Sequence, residues 1–80
     1  MLQSLKEAKK VVGTKQAKRA IINDEVEVLF VAKDAESRVV NGLVDLCKEK
    51  SIEIVYVDSM KELGKACGID VSAASAAILK

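Results

Sequence analysis

The chain has 80 residues, half of them apolar and 31% charged, with a net charge of +1 at neutral pH. That length accommodates one domain over residues 1–80 and no second core. One Phe, one Tyr, no Trp and no His give little support to an aromatic-lined ligand pocket or an aromatic platform for base stacking; they also exclude a Cys–His nucleophile and most zinc sites.

Apolar positions Leu2, Leu5, Ala8 and Val11/Val12 recur at three or four residues, which predicts a first helix over about 2–10 with Lys6, Lys9 and Lys10 outside. Val11-Val12 forms a short strand ended by Gly13. Thr14 is the expected N-cap of a second helix over about 15–23. Its apolar face is Ala17, Ala20 and Ile21; Lys15, Lys18, Arg19 and Ile22 fall on the other side. Asn23-Asp24 closes it. Val26 to Ala32 is β-branched and aromatic with Glu27 its one charge, the pattern of a strand buried on both faces. Residues 33–37 form a polar connector. A third helix over about 37–50 turns Val39/Val40, Leu43/Val44 and Leu46/Cys47 towards a core. Ile52, Ile54 and Val57 mark a strand over 52–57. Ser59 caps a fourth helix, about 60–67, with Glu62 at the third helical position as a capping box requires. Gly64 permits close packing and Gly68 ends the helix. Residues 69–73 are a loop and Ser75 to Leu79 a strand of small residues. The alternation of helices and strands predicts an α/β fold: a three-layer α-β-α sandwich around a mixed four-stranded sheet.

Charge is unevenly spread. Residues 1–20 carry six cations against one carboxylate, a balance of +5, and the remainder carries seven against eleven, a balance of −4. This describes a small basic patch rather than a protein that coats nucleic acid by bulk charge. The patch centres on Gly13-Thr14-Lys15-Gln16-Ala17-Lys18-Arg19. A helix N-terminus already exposes unpaired N–H groups and about half a positive charge. Cations there work against the dipole, so the segment reads either as a site for an anion such as phosphate or as a lysine-rich solvated face. Ile69 and Val71 have two readings as well, as core residues beneath their loop or as an exposed apolar flap that meets a partner. Asp70 reads as a loop-shaping residue, Lys33 and Asp34 as shaping the exit from their strand, and Asp45, Lys48 and Glu49 as a solvated helix face. Cys47 and Cys67, not spaced as a C-x-x-C pair, read as free buried thiols. No apolar run nears the roughly 20 residues needed to span a bilayer, and the N-terminus is charged rather than continuously apolar. The expectation is a soluble, cytoplasmic protein with no membrane partner. No carboxylate pair or nucleophile arrangement stands out, so no enzymatic activity and no cofactor or metal are expected.

Three motifs, Gly13-Thr14-Lys15-Gln16, Val31-Ala32-Lys33-Asp34 and Leu63-Gly64-Lys65-Ala66-Cys67-Gly68, resemble in order and spacing the seven-Ae/thirty-e superfamily of ribosomal proteins, small α/β/α proteins that bind kink-turn RNA. The short bacterial paralogues of that superfamily, the YbxF-like proteins, share the Gly-Thr-Lys-Gln form. The resemblance covers nearly the whole chain. It implies a non-catalytic RNA-binding protein that recognises and stabilises a duplex bent sharply around a short bulge beside tandem sheared G·A pairs. The RNA would be ribosomal RNA, a riboswitch or a messenger leader, with ribosome association possible and a monomeric state expected.

By the same resemblance the Gly13-Thr14 helix mouth enters the widened groove at the bend. Lys15 and Gln16 match a pair that reads guanine edges, and Arg19 matches a basic residue suited to bidentate contact. The loop Ile69, Asp70, Val71, Ser72 and Ala73 covers the flipped-out bulge nucleotide, and Lys33 and Lys65 flank these elements within reach of phosphates. The family's usual pair is Asn-Glu, so Lys15-Gln16 changes the hydrogen-bond pattern. Ser37 stands where many relatives carry Pro, and Met60 where several carry Lys, which together predict weaker affinity than the archaeal ribosomal relatives. A protein-interaction module on the same scaffold that has lost RNA binding is the competing expectation.

Overall fold

A computed structural model of the chain describes residues 9–80. The helix expected over 2–10 lies, but for its last two residues, outside the described part. Of those two, Lys10 belongs to a strand instead, because it pairs with Ile78 at the start of an antiparallel ladder. The elements in chain order are β1 (Lys10–Val12), α1 (Thr14–Ile22), β2 (Val26–Ala32), α2 (Ser37–Glu49), β3 (Glu53–Val57), α3 (Met60–Ala66) and β4 (Ser75–Leu79). The sheet order is β1-β4-β2-β3. Strand β4 runs antiparallel to both β1 and β2, and β2 runs parallel to β3, so the sheet is mixed, as the sequence predicts.

Two apolar clusters fill the faces of this sheet. On one, Leu29, Val31 and Ala77 meet Ala17, Ala20 and Ile21 of α1 and Val40, Leu43, Val44 and Cys47 of α2. On the other, Phe30, Ala32, Val57 and Ala76 meet Leu63 of α3 together with Cys67 and Ala73. Strand β2 sits at the centre and is buried on both sides, which its nearly unbroken apolar run requires. A register irregularity between Val26 and Val28 turns Glu27 out to solvent. The extra residue keeps Val26, Leu29 and Val31 on the α1–α2 face and Val28, Phe30 and Ala32 on the α3 face. Phe30 is fully buried, a burial that contributes about 1.5–3 kcal/mol.

The three described helices end alike. In α3 the Gly68 N–H donates to the Lys65 carbonyl and the Ile69 N–H to the Gly64 carbonyl, with Gly68 at φ 78. This is the six-to-one and five-to-two pattern of a Schellman cap. The same pairs close α1 through Asp24 and Glu25, and α2 through Ser51 and Ile52. There the left-handed residue is not glycine: Asp24 has φ 58 and Ser51 φ 59. The Ser59 hydroxyl oxygen accepts from the Glu62 N–H at 3.0 Å, so the expected cap of α3 is present.

Strand direction positions the site. Strands β1, β2 and β3 all end at the edge where β4 begins. The mouths of α1 and α3, the exit of β2 and the loop entering β4 therefore share one rim of the molecule.

Candidate nucleic-acid interface

Gly13 joins β1 to α1 at φ 107, a conformation closed to residues with a side chain. Its N–H donates to the Ser75 carbonyl at 2.9 Å, and its carbonyl accepts from the Ala17 N–H at 3.0 Å. Gly13, not Thr14, is thus the N-cap residue, and no side chain caps the helix. The reason is visible one residue on. Thr14 is the first helical residue, and its Oγ1 lies 3.3 Å from the Ser75 Oγ, so its hydroxyl ties α1 to β4 instead of turning back on its own helix. Ser75 is completely buried, and the Thr14 hydroxyl supplies the partner that a buried hydroxyl needs.

The first turn of α1 holds no carboxylate. Lys15, Gln16, Lys18 and Arg19 are all exposed, and the N–H groups of that turn have no intrahelical partner. The Gln16 side-chain oxygen folds back towards Gly13, 3.1 Å from where a Cβ there would stand. Gln16 and Arg19 line one shallow groove with Val11, Asn23, Glu25 and Leu79. Ile22, half exposed, continues the outer face. The helix mouth thus offers N–H donors, an amide and Lys15 with no first-turn carboxylate, and Lys18 follows on the exposed face; Arg19, expected there as well, stands instead in the last turn of α1, in the groove that Glu25 also lines.

The loop on the other side of Ser75 is held at three points. Ile69 packs into the core beneath α3. The Ala73 N–H donates to the Met60 carbonyl at 3.1 Å, and the Ala32 N–H to the Ala74 carbonyl at 3.0 Å. Between them the backbone of Val71 and Ser72 lies directly against Gly64, where a Cβ would collide with the Val71 carbonyl. This is the close packing that the sequence assigns to Gly64. The two apolar loop residues divide: Ile69 belongs to the core, whereas Val71 is 67% exposed and forms the flap. Asp70 and Ser72 are exposed beside it.

Gly13, Thr14 and the loop therefore meet at Ser75, with the α1 mouth on one side of the rim and Val71 on the other. Lys65 is exposed next to Gly64, on the flank of the loop. Lys33 sits further along, beyond the exit of β2, where its N–H donates to the Val57 carbonyl at 2.8 Å. Its ammonium pairs with Asp58 at 3.4 Å, both partners well exposed; a pair of this kind is weak and exchanges readily for another anion. Asp34 shapes the strand exit as expected: its carboxylate accepts from the Met60 N–H at 2.7 Å and so docks the start of α3. Sequence reasoning missed Ser75. A lone hydroxyl opening a strand of alanines is its signal, since a buried polar atom there demands a partner.

Chemically the rim suits an anion with hydrogen-bond acceptors and an unstacked apolar face. Among the described residues no group of His, Cys, Asp and Glu could hold a metal, and no helix is long and apolar enough to cross a membrane. Burial raises the thiol pKa of Cys47 and of Cys67, the latter partly offset by the charge of Lys10; both thiols are free and buried.

Known proteins share this sequence and fold. An RNA-binding protein of Caldanaerobacter subterraneus subsp. tengcongensis is 55% identical over 69 residues, 86% of this chain and 84% of the relative. The RNA-binding protein YbxF of Geobacillus stearothermophilus is 42% identical over 76 residues, 95% of this chain and 93% of the relative. Among solved structures, a 15.5 kD RNA-binding protein of Giardia lamblia superposes with a TM-score of 0.89 at 27% identity, covering 99% of this chain and 70% of the other. A Bacillus halodurans protein of unknown function has the same fold at TM-score 0.89 and 23% identity, covering 99% of this chain and 83% of its own. The model of the ribosomal protein L7Ae/L30e/S12e/Gadd45 family matches residues 1–80, and the chain belongs to that family.

Proposed function

We propose that this protein is a non-catalytic RNA-binding protein that recognises and stabilises kink-turn RNA, in a ribosome-related or regulatory setting in the cytoplasm. The observation that carries the reading is the junction at Ser75. It fixes a cation-rich, uncapped helix mouth and an exposed aliphatic flap on the same rim. An isolated basic helix end binds any phosphate; paired with an apolar surface for an unstacked base, it selects a bulged and bent strand. The RNA-binding names of the relatives support the same conclusion.

The mechanism follows from the bending energy. A sharp kink is costly in free RNA, and contacts available only in the bent form offset that cost. Binding then shifts an existing equilibrium towards the kinked conformer. Lys15 and Gln16 donate to base edges or phosphate at the helix mouth. The Arg19 guanidinium presents a planar fork for phosphate or guanine, and Val71 covers the extruded nucleotide. Energy transfer across an end-labelled kink-turn duplex is the direct test: the protein shortens the end-to-end distance, and an unchanged distance at saturating protein refutes the proposal. Arg19→Ala weakens binding by about 1–3 kcal/mol in a filter titration at fixed salt. A protein that binds no kink-turn duplex, yet retains partners after nuclease treatment, is an interaction module instead.

A further inference from the structure

The groove between α2 and β3 lies outside this rim, and we infer that it is a subsite for one unpaired nucleotide of the bound RNA, with Tyr56 taking the base and Lys33 and Lys48 the phosphates. Tyr56 is the only tyrosine of the chain. It stands on the edge strand of the sheet and is 53% exposed, although an aromatic ring on a strand that covers a core is ordinarily turned inward. With Lys33, Asn41, Asp45 and Lys48 it lines a groove of about 420 Å³ over Val40 and Val44, within the size range of small-ligand sites. The composition matches a nucleotide part by part. The ring offers a stacking face, which every base can use. Asn41 donates and accepts and Asp45 accepts, the complement of a base edge. The two lysines neutralise backbone phosphate. One ring is no platform for a run of bases, but it is enough for one.

The location ties the groove to the RNA. Lys33 follows Ala32, whose N–H is bonded to the end of the flap loop, and its own N–H is bonded to Val57, the neighbour of Tyr56. Lys33 therefore bridges the rim and the groove. From the start of β4 to β3 is two strand spacings, roughly 10 Å, a short path for a strand whose stacked nucleotides rise about 3.4 Å each. Among the described residues Asp58 is the anion paired with Lys33, and an arriving phosphate replaces it. The solvated-face reading of Asp45 and Lys48 is thereby revised: both are exposed, but both line the groove.

This inference rests on the kink-turn reading, so the test uses one kink-turn duplex in two forms, blunt and carrying a short single-stranded adenosine tail. The tailed form binds the wild-type protein at least about fivefold more tightly, the low end of base–aromatic stacking. Tyr56→Ala removes that gain and leaves affinity for the blunt duplex unchanged, Tyr56→Phe keeps it, and Lys48→Ala reduces it. Aromatic proton spectra give an independent readout, since Tyr56 and Phe30 are the only aromatic rings: the tail shifts the Tyr56 resonances and not those of buried Phe30. If both duplexes bind equally and Tyr56 does not move, the subsite is overturned, the kink-turn reading stands, and the groove is left to a protein partner. If the blunt duplex does not bind at all, it is the kink-turn reading that has failed.

Discussion

Replacing Gly64 by alanine sets two energies of known sign against each other. Gly64 lies inside α3, where glycine is about 1 kcal/mol less favourable than alanine. On propensity alone the substitution would stabilise the protein. The structure opposes this, because a Cβ at position 64 meets the Val71 carbonyl and crowds the Ser72 Cα at 3.2 Å. The atoms in the way are backbone, held by the Ala73–Met60 and Ile69–Gly64 hydrogen bonds, and no rotamer change relieves the contact. Overpacking of this kind costs typically 1–3 kcal/mol. The net expectation is a loss of between about 0 and 2 kcal/mol in urea unfolding. The larger effect is on binding, because the loop must lift and carry Val71 off its place against α3. Gly64→Ala is thus expected to weaken kink-turn affinity by more than it weakens folding. A variant that gains about 1 kcal/mol of stability and binds RNA unchanged would show that the loop is not pinned by the close approach, and would remove the reason for placing Val71 in the site.

Other substitutions probe the backbone and charge arrangement directly. Gly13→Ala forces φ 107 on a residue with a Cβ and is expected to cost about 1–3 kcal/mol in the same unfolding assay, with RNA affinity falling as the helix mouth shifts. Ser51→Gly relieves a left-handed residue at the end of α2. The steric gain of about 1–2 kcal/mol, less about 0.5–1 kcal/mol for the added freedom of the unfolded chain, leaves a net stabilisation of about 0–1.5 kcal/mol, seen as an equal or higher Tm; a lower Tm would contradict the cap geometry. Asp24 accepts from the Lys50 ammonium at 2.7 Å, and that hydrogen bond, reinforced by the ammonium's charge, holds its carboxyl below the usual aspartate range. A depressed carboxylate contributes stability that is complete above its unfolded pKa and lost as pH falls through the folded value. Asp24→Asn should flatten the acid limb of the urea midpoint against pH below about 4 and leave the neutral region's slope alone; an unchanged acid limb counts against the pair.

How much of this was legible in the sequence depended on the range of the interaction. Strands β2 and β4 have the bounds read from their patterns, because β-branched runs broken by charges and small residues record burial directly. The Ser59 cap and the Gly68 stop were equally clear, as both are local hydrogen-bond devices with residue signatures. The failures are tertiary. Thr14 has the chemistry of an N-cap, yet Ser75, 61 residues away, claims its hydroxyl. The Schellman ends at Asp24 and Ser51 were not recognised as left-handed positions, since no glycine marks them. Lys10 continues an apparent helical pattern but is drawn into a strand by pairing with Ile78. The flap could be proposed from Ile69 and Val71 together, but only packing separates the core residue from the exposed one.

The cations at the α1 mouth are best understood from what they cost. Lys15 stands where the helix dipole favours a carboxylate, an unfavourable placement worth some tenths of a kcal/mol, and neither a capping side chain nor a first-turn acid compensates. Of the other two described helices, only α3 differs in this respect. Ser59 caps α3, with Glu62 in its first turn, whereas α2, which follows Glu36, has neither a capping side chain nor a first-turn acid. What sets the α1 mouth apart is not its bare start, which α2 shares, but its fastening through Gly13 and Thr14 to the end of the flap loop. A sequence shaped only for folding would place its acids there and its lysines elsewhere. Charge reversal at this point separates the two causes. Lys15→Glu should hold or raise the unfolding free energy while greatly reducing RNA affinity. If it lowers stability and leaves affinity intact, the basic turn serves the fold, and the interface lies elsewhere.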